Sequence, residues 1–129
     1  MPPSIHSTAR RYKRADLLAA ASAPTQLLND AISTGVLVAA ESYGEDAVTL
    51  LRALVALDRH GIEPRHVRGM RQTVDREVSL IESALAAYLR RSDTTARARA
   101  DELAPELASR QDEVSRIFTQ SALERMLSS

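Results

Sequence analysis

The side chains best suited to catalysis or metal binding are the histidines His6, His60 and His66, since the chain contains no cysteine. His60 and His66 flank Glu63 across a short Gly and Pro segment. A metal site needs three or four converging ligands, and this set falls short of that number. His60 is better suited to ending a helix, where its ring can donate to the last free carbonyls. The sequence therefore predicts no metal and no other cofactor.

Motifs for nucleophilic catalysis or phosphate binding are not recognisable either. The chain has only 4 glycines, which do not form a glycine-rich phosphate loop. Its serine and threonine hydroxyls lack the flanking glycines of a nucleophile elbow. The sequence gives no positive support for an enzymatic activity.

A cluster of cations is a candidate patch for an acidic ligand or partner. Its members are Arg65, His66, Arg68, Arg71 and Arg76. Asp75 and Glu77 lie in the same stretch, so the cluster is more typical of a solvated helix face with neighbouring ion pairs of a few tenths of a kcal/mol each. Both interpretations stay open on the sequence.

A second basic run lies near the start of the chain and is the best candidate for nucleic-acid contact. Its cations are Arg10, Arg11, Lys13 and Arg14, with Tyr12 among them. Such a run can follow a phosphate backbone, but it is also typical of a soluble linker, the interpretation we favour. Because the 17 basic and 17 acidic residues cancel, any basic surface is local.

The segment to residue 70 follows the order helix, turn, helix, wing, helix. A short helix ends before Pro24, and a second runs to Thr34 with Gly35 as its terminating residue. Residues 36–38 and the segment that follows to Gly44 are expected to form a strand and a short wing. Apolar residues from Ala47 to Leu57 then predict an amphipathic helix that ends at His60-Gly61. This is the order of a winged helix-turn-helix.

A long apolar stripe follows, in steps of three and four residues, and predicts a seam for a partner helix. Its interface candidates are Val74, Val78, Ile81, Leu85 and Leu89, joined on a final helix by Val114, Ile117 and Phe118. Ser92 to Thr95 should cap that helix, and Pro105 should kink it near Asp101. The two long helices are expected to form an antiparallel hairpin.

The stretch from Leu57 to Arg68, and above all the block from Gly61 to Glu77, resembles the C-terminal region of actinobacterial MerR-family transcription regulators of the cell-division group. The resemblance also covers residues 14–18, 27–36 and 96–104, and in all about nine tenths of the chain. Members of this family carry an N-terminal winged helix that reads DNA, which this sequence lacks. The resemblance therefore implies an effector and dimerisation domain.

Residues 14–70 also resemble a degenerate copy of the reading domain itself. The second helix, from Thr25 to Thr34, carries Asp30 and no lysine or arginine. The wing adds Glu41, Glu45 and Asp46. Facing phosphates, these carboxylates would repel DNA rather than release counterions. We therefore expect a DNA-reading fold that has been retained as a scaffold.

These observations predict an all-α protein, with a degenerate winged helix-turn-helix-like body followed by a long antiparallel helical hairpin. Residues 1–13 are expected to be a flexible basic lead-in, 14–70 the body, and 71–129 the hairpin. The expected function is regulation and homodimerisation within a cytoplasmic MerR-type regulator, with no membrane contact. Operator DNA would be bound only through a missing N-terminal reader, and a small-molecule or protein effector remains open. A helical adaptor protein and a self-sufficient winged-helix DNA-binding protein are the alternatives.

Overall fold

The computed structural model describes residues 10–128, and every regular element within that range is a helix. In chain order these are α1 (Arg14–Ala21), α2 (Thr25–Ser33), α3 (Glu45–Asp58), α4 (Pro64–Ala84), α5 (Ala86–Arg90) and α6 (Thr94–Leu127). The predicted all-α class is confirmed. The chain divides into two compact units between Gln72 and Thr73, inside α4.

The N-terminal unit is built around α3, against which both α1 and α2 pack. The largest side chains that are fully buried come from all three helices: Leu17, Leu28, Val48, Leu51 and Leu54. Arg52 on α3 donates from Nε and Nη2 to the carbonyl of Ala20, at 3.2 Å and 3.0 Å. This places a cation at the negative end of α1, where free carbonyls need donors.

Two glycines end helices in the N-terminal unit, as the sequence predicted. Gly35 has φ +80° and follows α2, and the N–H groups of Gly35 and Val36 donate to Ile32 and Ala31 at 3.1 Å and 2.9 Å. Gly61 follows α3 and has φ +85°. The N–H groups of Gly61 and Ile62 donate to the carbonyls of Asp58 and Leu57, both at 3.1 Å. Both arrangements are Schellman motifs, which satisfy the last helix carbonyls with a left-handed residue.

The prediction of a strand at residues 36–38 is wrong. Within residues 10–128 the only β-type pairing is an isolated antiparallel bridge between Tyr12 and Tyr43. The reason lies in the end of α2, because the N–H groups of Val36 and Leu37 both donate to the carbonyl of Ala31. Those donors are therefore committed to the helix terminus and cannot enter a strand ladder.

The lead-in was also expected to be flexible as far as residue 13, whereas residues 10–13 belong to the N-terminal unit. Tyr12 is buried in the core and exchanges backbone bonds with Tyr43. Residues 1–9 of the predicted lead-in lie outside the described residues. The buried ring of Tyr12 and the bonds from Arg11 to Ser42 both hold this segment in the N-terminal unit.

The C-terminal unit consists of the end of α4, then α5, then the 34-residue α6. Its small core contains Ile81, Leu85 and Ala100, with Tyr88, Leu103, Ala104 and Leu107 packed around them. Leu85 interrupts the helix that was expected to run on to Leu89, since α4 ends at Ala84 and α5 begins at Ala86. Asp93 caps α6 as predicted, accepting the N–H of Ala96 at 2.7 Å.

Pro105 lies inside α6 without ending it. It removes one backbone hydrogen bond, but the helix continues to Leu127. The expected kink stays a prediction. None of the helices described is long and apolar enough to cross a membrane.

Candidate functional site

The most distinctive surface of the C-terminal unit is a set of large apolar side chains that face solvent. We call this set the apolar stripe, and its members are between 41% and 76% exposed. It comprises Val74, Val78, Leu80, Leu89, Val114, Ile117, Phe118, Leu123, Met126 and Leu127. Single exposed apolar residues are ordinary on a protein surface, but a concentration of this kind within one small unit is typical of an interaction site.

The predicted interface residues divide into two groups in the structure. Ile81 and Leu85 are only 9% and 4% exposed, because they pack against α6 within the same chain. Val74, Val78, Leu89, Val114, Ile117 and Phe118 belong to the apolar stripe. The first two therefore serve the folding of the C-terminal unit, and the other six are available to a second molecule.

A shallow groove between α4 and α6 lies along the apolar stripe. It has a volume of about 570 Å³, and its apolar lining includes Leu80, Ile81, Leu107, Val114 and Phe118. Near this groove, the Gln111 side chain donates to the carbonyl of Glu77 at 3.1 Å. That bond joins α4 to α6. Beyond Gln111, every large apolar side chain of α6 is exposed.

Sequence reasoning did not select Leu80 as an interface residue, although the structure exposes it. Leu80 lies outside the three-and-four spacing that picked out Val74 and Val78, so its residue type was the only available signal. The apolar pattern of the final helix continues to Leu123 and Met126, and the stretch from Val114 to Leu127 is the alternative interface that this pattern predicts. The structure exposes Leu123, Met126 and Leu127 as well.

The cations of the predicted patch on α4 do not form one common site. Arg65 forms an exposed ion pair with Glu63 at 3.1 Å. The Nδ1 atom of His66 accepts the backbone N–H of Glu63 at 2.9 Å, which satisfies a donor at the start of α4. Arg71 donates from Nη1 to the carbonyl of Val36 at 3.4 Å. Arg68 and Arg76 are exposed, and no ion pair between either of them and a described carboxylate was found.

Three of the four basic residues near the start of the described chain are engaged locally. The Arg10 guanidinium lies 4.7 Å from the ring centre of Tyr12, in a cation–π contact. Arg11 donates from Nε and Nη2 to the side chain and carbonyl of Ser42, at 3.1 Å and 2.9 Å. Arg14 donates to the side chain of Asn29. Lys13 precedes α1 in an extended conformation and is exposed.

The helix α2, which the sequence predicted to correspond to a DNA-reading helix, has a neutral to acidic face. Its single charged side chain, Asp30, accepts from Gln26 at 2.8 Å. The predicted wing, residues 36–44, and the start of α3 add three exposed carboxylates, those of Glu41, Glu45 and Asp46. Exposed carboxylates of this kind repel phosphates, so the local field of this segment disfavours DNA.

Two groups have pKa values displaced from the ordinary by identifiable contacts. The Tyr12 hydroxyl donates to the carboxylate of Glu45, and this bond, with burial, raises the pKa of Tyr12. The N–H of Ala96 lowers the pKa of Asp93, with Arg91 acting in the same direction. Both contacts are structural. The bond from Tyr12 to Glu45 ties residues 10–13 to α3, and the bond from Ala96 to Asp93 caps α6. Among the described residues, no three histidine or carboxylate side chains are arranged to hold a metal ion.

Comparison with known proteins gives a consistent assignment. A family model described as the Rv1828-like, C-terminal domain matches residues 10–127. Two curated relatives are similar to the chain: the uncharacterized HTH-type transcriptional regulators Rv1828 of Mycobacterium tuberculosis and Mb1859 of Mycobacterium bovis. Each is 35% identical over 107 residues, which cover 81% of this chain and 43% of the relative. The chain thus spans less than half the length of these relatives, and with a family match over residues 10–127 it belongs to the Rv1828-like C-terminal domain family.

Proposed function

We propose that this chain is the regulatory and dimerisation domain of a MerR-type transcription regulator and does not itself read DNA. The observation that carries the proposal is the apolar stripe of the C-terminal unit. A stripe of this size is costly to leave in water. A second copy of the same chain is the partner that presents a matching stripe.

The size of the apolar stripe fits what a stable dimer requires. Burying one large aliphatic or aromatic side chain contributes roughly 1.5–3 kcal/mol. Association costs an estimated 4–15 kcal/mol in lost translational and rotational freedom. Burial of about five such side chains from each copy therefore outweighs the cost. The members of the apolar stripe on α6 lie between Val114 and Leu127, which is about 20 Å of helix at 1.5 Å per residue.

The physical role of such a dimer follows from its symmetry. A two-fold axis fixes the separation and the relative orientation of two DNA-reading domains, so that they match the half-sites of a palindromic operator. The relatives are named HTH-type transcriptional regulators, and most of their length lies outside the region matched here. In this proposal, operator DNA is bound by a reader that accompanies the domain in the full-length regulator.

The charges of the N-terminal unit support a scaffold role rather than DNA reading. A reading helix normally supplies arginine or lysine to phosphates and base edges. Here Asp30 is the one charged residue of α2. Arg14, a basic residue that contacts α2, donates to the side chain of Asn29. The N-terminal unit therefore keeps a packed core, while its helix α2 lacks the cations that a reading helix supplies.

The dimer is tested by a double substitution in the apolar stripe, Val114→Asp with Phe118→Asp. Both side chains are exposed, so the C-terminal unit should stay folded by circular dichroism. In sedimentation velocity at tens of micromolar, the wild type should be a dimer and the variant a monomer. The matched control is Ala56→Asp, which adds a charge at an exposed position of α3 and should remain dimeric.

Other outcomes separate the alternatives. A variant that stays dimeric would move the interface away from Val114 and Phe118. A wild-type chain that is monomeric would favour a helical adaptor, in which a different protein covers the apolar stripe. Specific binding of duplex DNA by the isolated chain would favour a self-sufficient winged-helix protein.

A further inference from the structure

A wide groove of about 830 Å³ lies in the N-terminal unit, beside residues 36–44, and no role in the proposed dimer uses it. Three separate segments line it: Arg11, the stretch from Val36 to Leu50, and Arg71. Its apolar part includes Val36, Leu37 and Leu50. The groove thus brings together one arginine from each of the two basic clusters that the sequence placed apart.

Both arginines are held in place by backbone carbonyls rather than by carboxylates. Arg11 donates to the carbonyl of Ser42 at 2.9 Å, and Arg71 donates to the carbonyl of Val36 at 3.4 Å. Within residues 10–128, no ion pair was found for either guanidinium. Each guanidinium has five N–H donors, so both retain donors for an anionic group.

The backbone beside this groove is open as well. Val38 and Ala39 make no backbone hydrogen bond with any residue in the described range, and the Val38 side chain is 68% exposed. The next N–H, of Ala40, donates to the hydroxyl of Tyr43 at 3.1 Å and is therefore committed. A short length of chain with free N–H and C=O groups can pair with an extended peptide.

Two carboxylates, Glu45 and Asp46, also line the groove and restrict what it can accept. Glu45 is engaged as the acceptor of the Tyr12 hydroxyl, whereas Asp46 is exposed. A polyanion such as DNA would bring many phosphates against these groups. A peptide brings an uncharged backbone, with carboxylates only at particular positions, so it can contact the arginines and avoid Asp46.

From this combination we infer that the groove binds an extended peptide segment of a partner protein in which aliphatic and acidic residues alternate. The peptide backbone pairs with the N–H and C=O of Val38, which lines the groove. An aliphatic side chain rests on Leu37 and Leu50, and a carboxylate is held by Arg11 and Arg71. The inference does not rest on the proposed dimer, because a single chain contains the whole groove.

The test is fluorescence anisotropy with the purified chain at about 0.15 M salt. The probe is a labelled octapeptide of alternating valine and glutamate. A second peptide replaces glutamate by lysine, and a labelled 20-base-pair duplex serves as the nucleic-acid probe. The valine–glutamate peptide should bind, and the other two probes should not.

The variants Arg11→Gln and Arg71→Gln should each weaken binding of the acidic peptide about tenfold, which corresponds to the loss of one charge-assisted contact. Arg68→Gln removes an exposed charge of α4 that lies outside the groove, so it should leave affinity within about a factor of two. Val38→Pro, which removes a backbone N–H donor, should also weaken binding. Helicity measured by circular dichroism should be the same in all four variants.

Several results would overturn the inference. One is failure of the valine–glutamate peptide to bind at about 1 mM. Another is equal binding of the lysine peptide, and a third is binding of the duplex instead of the valine–glutamate peptide. Unchanged affinity in both Arg11→Gln and Arg71→Gln would place any peptide binding elsewhere. Since the readout is binding by one chain, a monomeric wild type would count against the dimer and leave this test intact.

Discussion

Tyr12 and Tyr43 exchange two backbone hydrogen bonds, with N to O distances of 2.8 Å and 2.7 Å, and both rings are buried in the core of the N-terminal unit. This pair ties the start of the described chain to the segment between α2 and α3. Arg11 adds its two bonds to Ser42 beside it. The segment before α1 is therefore part of the folded unit.

We expect Tyr43→Ala to destabilise the N-terminal unit by about 3 kcal/mol, because it removes a buried aromatic ring and leaves a cavity. The same change removes the hydroxyl that accepts the N–H of Ala40. Urea denaturation followed by circular dichroism measures the loss. Tyr88→Ala, at a half-buried site in the C-terminal unit, is the comparison. A loss below about 1 kcal/mol for Tyr43→Ala would contradict the packing described here.

Two glycine substitutions should act in opposite directions. Gly35→Ala places a Cβ at φ +80° and should cost about 1 kcal/mol, even though no atom lies within 4 Å of the new group. Gly69 lies within α4, and a Cβ added there also meets no atom within 4 Å. Gly69→Ala should therefore stabilise the helix by about 0.5–1 kcal/mol. Thermal unfolding of both variants checks the pair. A Gly35→Ala variant as stable as the wild type, or more stable, would show that the Schellman ending of α2 is not a constraint.

The cap of α6 should make stability depend on pH in the acidic range. The N–H of Ala96 holds the pKa of Asp93 below its ordinary value. A carboxylate with a lowered folded pKa contributes stability above its unfolded pKa, about 3.9, and this contribution is lost as pH falls through the folded pKa. Asp93→Ala should therefore lower the unfolding midpoint at pH 7, and the difference from wild type should narrow below about pH 4. An equal difference at both pH values would show that the charge of Asp93 is not involved.

The isolated chain should not bind duplex DNA specifically at physiological salt, because α2 has no lysine or arginine. An electrophoretic mobility-shift titration with a pool of duplexes measures this. Binding at nanomolar concentration that is abolished by Gln26→Ala or Asn29→Ala, two exposed positions of α2, would mean that this helix reads DNA after all.

Local signals in the sequence were sufficient for most helices and their ends. The left-handed residues Gly35 and Gly61 and the cap Asp93 each act within a few residues, so their effects could be predicted without knowledge of the fold. The missing strand at Val36 shows the limit of this reasoning. Its β-branched side chain favoured a strand, but its N–H was already committed to the end of α2.

The candidate site could be predicted only in part, because burial depends on long-range packing. Ile81 and Val78 lie on the same helix with the same apolar spacing, yet Ile81 packs on α6 and Val78 is exposed. Periodicity identifies a helix face and not what covers it. Likewise, Arg11 and Arg71 are 60 positions apart in the chain, and only the fold places both beside one groove.

The most direct test of the central proposal is the mass of the wild-type chain in solution. Sedimentation equilibrium from about 1 to 100 µM should give about 28 kDa, twice the chain mass of 14.1 kDa, over the upper part of this range. Dissociation toward the single-chain mass is expected only on dilution. A mass of 14.1 kDa throughout, up to the highest concentration, would contradict the proposal that the apolar stripe joins two copies of this domain.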